Sequence, residues 1–151
     1  YVANYNSAEQ LVVSGRTESI KAFIADGKEK GYRILELKVS GPFHTPLLDS
    51  AREKMANELE HIKFRSPKMP IVMNSIGREI TDPEQIKHYL LEQTSGPVYW
   101  KQSIERMILL GVTEFIEAGP KNVQTSLLKK AKLDAKHFST VVAKGVLNER
   151  T

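Results

Sequence analysis

One histidine stands in a stretch whose residue types favour a fixed backbone. The segment 40–48 reads SGPFHTPLL, with His44 placed two residues after Pro42 and two residues before Pro46. Proline fixes its own φ and biases the preceding residue toward an extended conformation. Thr45 can cap a following helix, and proline suits the first helical turn. The stretch therefore predicts a short strand-to-helix corner that aims one imidazole.

An imidazole at such a corner has two interpretations. It can be a general base, because α/β folds place their sites at the carboxyl ends of strands. It can also be an ordinary residue of a helix entry that lies near the surface, because most histidines do no chemistry. The residues of the corner alone leave both interpretations open.

Two elements must position this corner. The run from Ile34 to Val39 alternates and predicts a strand with Leu35, Leu37 and Val39 on one face. The run after the corner predicts an amphipathic helix. Its apolar residues recur at spacings of three and four: Leu48, Ala51, Met55, Leu59 and Ile62.

The rest of the chain predicts an α/β fold. Thr17 is the expected cap of a helix that ends at Gly31, and Asp82 caps another, with a capping-box Gln85. A further helix ends at Gly111. The remaining predicted elements are strands at 2–6, 11–14 and 71–74, a turn at 76–77 that leads toward 79–80, a buried strand at 112–118, a helix at 122–132 and a last strand at 138–142.

Composition narrows the class of protein. The 151 residues suffice for one domain, and 40% hydrophobic with 26% charged residues is ordinary for a soluble protein. There is no cysteine, no apolar run long enough to span a membrane and no signal peptide, so we expect a cytoplasmic protein without a membrane partner.

The net charge of +4 comes from the end of the sequence. Residues 1–120 hold 15 basic and 16 acidic side chains, whereas residues 121–151 hold 7 and 2. The basic run 128–136 has no interleaved aromatic residues, so we expect no nucleic-acid partner; a solvated helix face or a contact with an acidic protein are the alternatives. His61, His88 and His137 show no metal-ligand spacing with His44, and we expect no metal site.

Four segments, in this order, resemble one family. They are 4–7 (NYNS) with 10–15 (QLVVSG), 39–44 (VSGPFH), Gln93 with 97–100 (PVYW), and 115–120 (FIEAGP). Together they are similar to the C-terminal half of malonyl-CoA:acyl carrier protein transacylases of bacterial fatty-acid synthesis, over residues 3–130. The resemblance implies an α/β fold with a ferredoxin-like small subdomain at 1–40, whose first strand and helix are missing. Residues 41–151 would be the C-terminal part of an α/β-hydrolase-like acyltransferase core.

The resemblance also implies an activity. Family members move malonyl from coenzyme A to the phosphopantetheine thiol of acyl carrier protein by a serine–histidine ping-pong, without a metal or redox cofactor. His44 would be the catalytic histidine, and the backbone carbonyl of Gln93 would orient it. Asn6, and less directly Asn4, would line the acyl pocket.

Two further residues take their roles from the family. Phe43 would belong to the acyl pocket, and Arg33 would contact the carrier protein. The partners implied are acyl carrier protein and a coenzyme A thioester.

The sequence departs from the family in one respect. It contains no Gly-x-Ser-x-Gly, the motif that holds the nucleophilic serine. We therefore expect the missing N-terminal half of the same enzyme to be a further partner, and the chain alone to be inactive. Two alternatives remain: an acyltransferase domain fragment of a polyketide or fatty acid synthase, or a non-catalytic carrier-protein-binding fragment.

Overall fold

The computed structural model describes residues 1–119, 121–130 and 140–143, and it confirms the α/β class. Its strands are β1 (Val2–Tyr5), β2 (Leu11–Val13), β3 (Ile71–Met73), β4 (Arg78–Ile80), β5 (Phe115–Ala118) and β6 (Thr140–Ala143). Its α-helices are α1 (Thr17–Glu29), α2 (Asp49–Glu60), α3 (Pro83–Ser95), α4 (Trp100–Leu109) and α5 (Val123–Lys130). A 3-10 turn at Pro46–Leu48 precedes α2.

The strands pair two by two within the described residues. β1 and β2 form an antiparallel hairpin, as do β3 and β4, whereas β5 and β6 run parallel. The hairpin β1–β2 is joined to the loop between α3 and α4 by Val98, whose N–H donates to Ala3 O and whose carbonyl accepts from Tyr5 N–H, both at 2.8 Å. This connection ties the start of the chain to residues almost one hundred positions later.

A small core lies between β3, β4 and α3. Met73, Ile80 and Ile86 are each less than a tenth exposed and pack together. Four partly buried side chains surround them: Phe64, Ile76, Tyr89 and Leu90. Helix α3 is therefore fixed by its apolar face against the β3–β4 hairpin.

Most predicted helix ends are confirmed. The Asp82 side chain accepts a hydrogen bond from Gln85 N–H at 2.8 Å at the start of α3. Gly31 and Gly111 adopt φ values of +80° and +87° after α1 and α4, a conformation that glycine adopts without a steric cost. The prediction for Thr17 is wrong by one position, because Arg16 occupies the cap and Thr17 is the first helical residue.

The predicted strand from Ile34 to Val39 is wrong. These residues form no strand, and Leu35, Leu37 and Val39 are 81%, 51% and 63% exposed. The Val39 N–H donates locally to Leu37 O at 3.1 Å instead of to a neighbouring strand. A strand needs a partner for its backbone groups, and the alternation of side chains does not supply one. The division into subdomains at residue 40 stays a prediction.

The strand predicted at 112–118 is shorter than expected and is not buried. β5 begins at Phe115, and Ile116 is 64% exposed. Residues 131–132 and 138–139 of the last predicted helix and strand lie outside the described residues, as does most of the basic run 128–136. Among the described residues, no helix is long and apolar enough to cross a membrane, and no cluster of His, Cys, Asp and Glu could hold a metal ion.

Candidate active site

The backbone at His44 is left-handed. Its φ of +59° makes it the one non-glycine residue with a positive φ in the described part of the chain. This conformation brings the side chain close to the backbone and costs an L-residue about 1–2 kcal/mol. Such strain persists only where surrounding contacts over-determine it, and it is concentrated at functional sites.

Thr45 closes the corner. Its side chain is fully buried, and its Oγ1 donates to the carbonyl of Pro42 at 2.6 Å, across His44. The predicted side-chain cap by Thr45 is therefore wrong, because the hydroxyl points back to Pro42 and makes no cap hydrogen bond to the turn that follows. The chain passes through the turn Pro46–Leu48 before α2 begins. The Thr45 hydroxyl therefore stabilises the backbone of the corner that carries the imidazole.

Gln93 reaches the imidazole through its backbone. The His44 Nδ1 and the Gln93 carbonyl oxygen are 3.1 Å apart, and the contact is partly buried. A carbonyl oxygen only accepts hydrogen bonds, so Nδ1 carries the proton and donates it. In the neutral ring, Nε2 then keeps its lone pair and can act as a base. A carboxylate has the same orienting role in a Ser-His-Asp triad.

The Gln93 carbonyl is available for a simple reason. In an α-helix it would accept from the N–H four residues later, which is the position of Pro97, and proline has no N–H. The neighbouring Glu92 carbonyl accepts from Gly96 N–H at 2.8 Å, where α3 ends. Proline also biases Gly96 toward the extended conformation it adopts. The end of α3 thus exposes one carbonyl toward the corner.

Segments that the resemblance singled out separately meet in space. Tyr5 and Tyr99 stack with ring centroids 5.2 Å apart and planes 8° from parallel. The Val98 hydrogen bonds to β1 reinforce this contact. The segment 93–100 therefore connects β1 at one end to His44 at the other.

The other predicted residues have the following positions. Asn6 is 8% exposed and directly follows β1, and Asn4 is partly buried in the bridge to Val98. Phe43 is 47% exposed beside the corner, and Arg33 is exposed in the segment before it. Among the described residues, the hydrogen bond that involves the imidazole is the one that His44 Nδ1–H donates to the Gln93 carbonyl oxygen.

Two contacts of charged side chains near the motifs were not predicted from the sequence. Arg52 on α2 pairs with Glu92 on α3, next to Gln93. Glu117 on β5 accepts from the N–H groups of Thr125 and Gln124 at 2.8 and 3.0 Å, at the start of α5. Hydrogen bonds from Thr125, then from neighbouring N–H groups, hold the pKa of the Glu117 carboxyl below its usual value. Separations of 40 and 8 residues show no periodic signal in the sequence.

Comparison with known proteins assigns the chain to a family. A model of the acyl transferase domain matches residues 1–148. The chain belongs to the acyl transferase domain family. The chain is 37% identical over 130 residues to the malonyl CoA-acyl carrier protein transacylase of Bacillus subtilis, and this match covers 85% of the chain and 41% of the relative. The predicted family resemblance is confirmed.

Solved structures support the same family. MCAT from Streptococcus pneumoniae matches with a TM-score of 0.85 and 35% identity, over 93% of this chain and 46% of that protein. A malonyl-transacylase solved in complex with its type II PKS acyl-carrier protein matches with a TM-score of 0.83 and 33% identity, over 93% and 45%. The chain therefore spans less than half the length of the relatives it matches.

Proposed function

We propose that this chain supplies the histidine part of an acyltransferase that moves malonyl from malonyl-CoA to the phosphopantetheine thiol of acyl carrier protein, in fatty acid biosynthesis. The observation that carries the proposal is the hydrogen bond from His44 Nδ1–H to Gln93 O at 3.1 Å. It leaves Nε2 as a base on a corner held by Thr45. The relatives named malonyl CoA-acyl carrier protein transacylase supply the substrate class.

The proposed reaction follows from the protonation state of the His44 imidazole. Nε2 takes the proton of a serine hydroxyl while the serine oxygen bonds to the malonyl thioester carbon. The tetrahedral intermediate collapses, the carbon–sulfur bond breaks, and the imidazolium returns the proton to the leaving coenzyme A thiolate. The carrier thiol then attacks the malonyl-serine ester while Nε2 takes the thiol proton, and the serine leaves as the hydroxyl. No step requires a metal or a redox cofactor.

The serine is proposed to come from outside these 151 residues, since the sequence has no Gly-x-Ser-x-Gly. The chain alone would then be inactive. Asn6, Asn4 and Phe43 would border the acyl group, and Arg33 would meet the acidic carrier protein. The burial of Asn6 and the exposure of Arg33 support these assignments. A cytoplasmic location stays a prediction.

The test uses the complete reading frame that encodes these residues, together with malonyl-CoA and phosphopantetheinylated carrier protein. Mass spectrometry of the carrier protein follows malonyl transfer. We expect His44→Ala to slow transfer by about 10²- to 10⁴-fold, the usual contribution of a general acid–base group. The matched control is His88→Ala, which removes an exposed imidazole from α3 and is expected to leave the rate unchanged. Equal rates for the two variants would contradict the role of His44.

A further inference from the structure

We propose that Arg52 and Glu92 form a positioning pair that keeps His44 aligned with the Gln93 carbonyl. Arg52 lies at the end of the first turn of α2, and Glu92 lies in the last turn of α3, directly before Gln93. The Arg52 Nη2 contacts the Glu92 Oε1. The catalytic consequence of this pair depends on the function proposed above; its structural consequence does not.

The pair joins α2 and α3, the two helices that set the distance between His44 and the Gln93 carbonyl. His44 is connected to α2 by the turn Pro46–Leu48, in which Leu48 N–H donates to Thr45 O at 3.0 Å. Gln93 belongs to α3. The distance between Nδ1 and the carbonyl is therefore set by how α2 lies against α3, and a slide between the two helices would break the hydrogen bond.

A second contact lies on the other side of Gln93. The Thr94 Oγ1 donates to the sulfur of Met55 at 3.2 Å. Arg52 and Met55 are three residues apart and share one face of α2. The residues that flank Gln93, Glu92 and Thr94, are thus both tied to that face. Thioether sulfur is a weak acceptor, so the ion pair is the stronger of the two ties.

The signs of the charges argue against a role in helix stability. Arg52 places a positive charge near the N-terminus of α2, and Glu92 places a negative charge near the C-terminus of α3. Both are the unfavourable choice for the helix dipole. Both side chains are also more than a third exposed, at 39% and 38%, so the pair contributes little to the free energy of unfolding. The pair therefore acts as a contact between α2 and α3.

The test measures the protonation site of His44 directly. In the complete reading frame, ¹⁵N NMR of the neutral imidazole gives the share of rings that carry the proton on Nδ1. We expect Arg52→Gln and Glu92→Gln each to lower this share and to lower kcat for malonyl transfer by about 2- to 30-fold, the range for residues that act through another group. KM for malonyl-CoA and the midpoint of urea unfolding are expected to stay near the wild-type values.

The double variant Arg52→Glu with Glu92→Arg rebuilds the pair with charges that suit both helix ends. We expect it to restore the Nδ1–H share and kcat. The matched control is the pair Arg106–Glu79, which has similar exposure and links α4 to β4. Glu79→Gln and Arg106→Gln are expected to leave the Nδ1–H share unchanged.

Two results would overturn the proposal: an Nδ1–H share that stays at the wild-type value in both single variants, or a reversed pair that behaves like the single variants. The proposed function fails separately, if His44→Ala transfers malonyl at the wild-type rate. In that case the effect of Arg52 and Glu92 on the Nδ1–H share would still test the positioning pair.

Discussion

The His44 corner and the segment Ile34–Val39 are neighbours in the sequence, but their backbones are held in opposite ways. At the corner, a buried hydroxyl bonds to the Pro42 carbonyl and a helix carbonyl bonds to the imidazole. Along the segment, Leu35, Leu37 and Val39 are more than half exposed, and no strand pairs with it among the described residues.

The difference shows what each kind of sequence pattern can specify. Prolines and a short hydroxyl side chain act within three or four residues, so the corner needs only one distant partner, Gln93. An alternating apolar run specifies which residues share a face, but its backbone donors and acceptors need another strand. The corner is therefore formed in this chain, and the strand is not.

The largest expected effect is on the free energy of unfolding, when an apolar side chain is truncated in the core and another in the segment Ile34–Val39. In the 151-residue chain, Ile86→Ala removes a buried side chain from the core of β3, β4 and α3 and should lower the free energy of unfolding by about 2–5 kcal/mol. Leu35→Ala removes a side chain that is 81% exposed and should change it by less than about 0.5 kcal/mol. Urea unfolding of both variants checks the comparison. A Leu35→Ala cost that equals the Ile86→Ala cost would mean that the segment is packed.

A smaller effect is expected at the corner itself. Thr45→Val keeps the shape of the buried side chain but leaves the Pro42 carbonyl without its 2.6 Å donor. Loss of this part-buried hydrogen bond should cost about 0.5–1.5 kcal/mol, so the urea midpoint should fall by a corresponding amount. Thr45→Ser keeps the hydroxyl and is the matched control. If serine and valine destabilise equally, the hydroxyl does not hold the corner.

The smallest effect is a pH dependence in the part of the molecule that supports α3. The side-chain hydrogen bond from Arg106 is the main cause that lowers the pKa of Glu79 from 4.5 to about 2. Because this pKa is depressed in the folded state, the stabilisation is present above pH 4.5 and is lost as the pH falls toward 2. Glu79→Gln should flatten the dependence of the urea midpoint on pH within this window. A wild-type-like slope in Glu79→Gln would assign the acid sensitivity to other carboxylates.

Local chemistry made much of the fold predictable. Asp82, Pro83 and Gln85 identified the start of α3, and Gly31 and Gly111 identified two helix ends, because each acts on the backbone beside it. The missing strand at 34–39 and the exposure of β5 could not be predicted. Both depend on which other segments lie beside them, and periodicity carries no information about a partner.

The candidate site shows the same limit. The residues alone left His44 undecided between two interpretations, and Gln93 came only from the family resemblance. The structure adds the physical reason, since Pro97 leaves the Gln93 carbonyl without a helical donor. The pair Arg52–Glu92 spans 40 residues and two helices, so only the packing of α2 on α3 reveals it.

The role of His44 as a base is tested most directly by the ¹⁵N NMR spectrum of its imidazole in the wild-type protein, recorded at a pH where the ring is neutral. We predict that the proton lies on Nδ1, hydrogen-bonded to Gln93 O, and that Nε2 is unprotonated. A ring with its proton on Nε2 would contradict it, because the nitrogen assigned as the base would then have no lone pair to accept the serine proton.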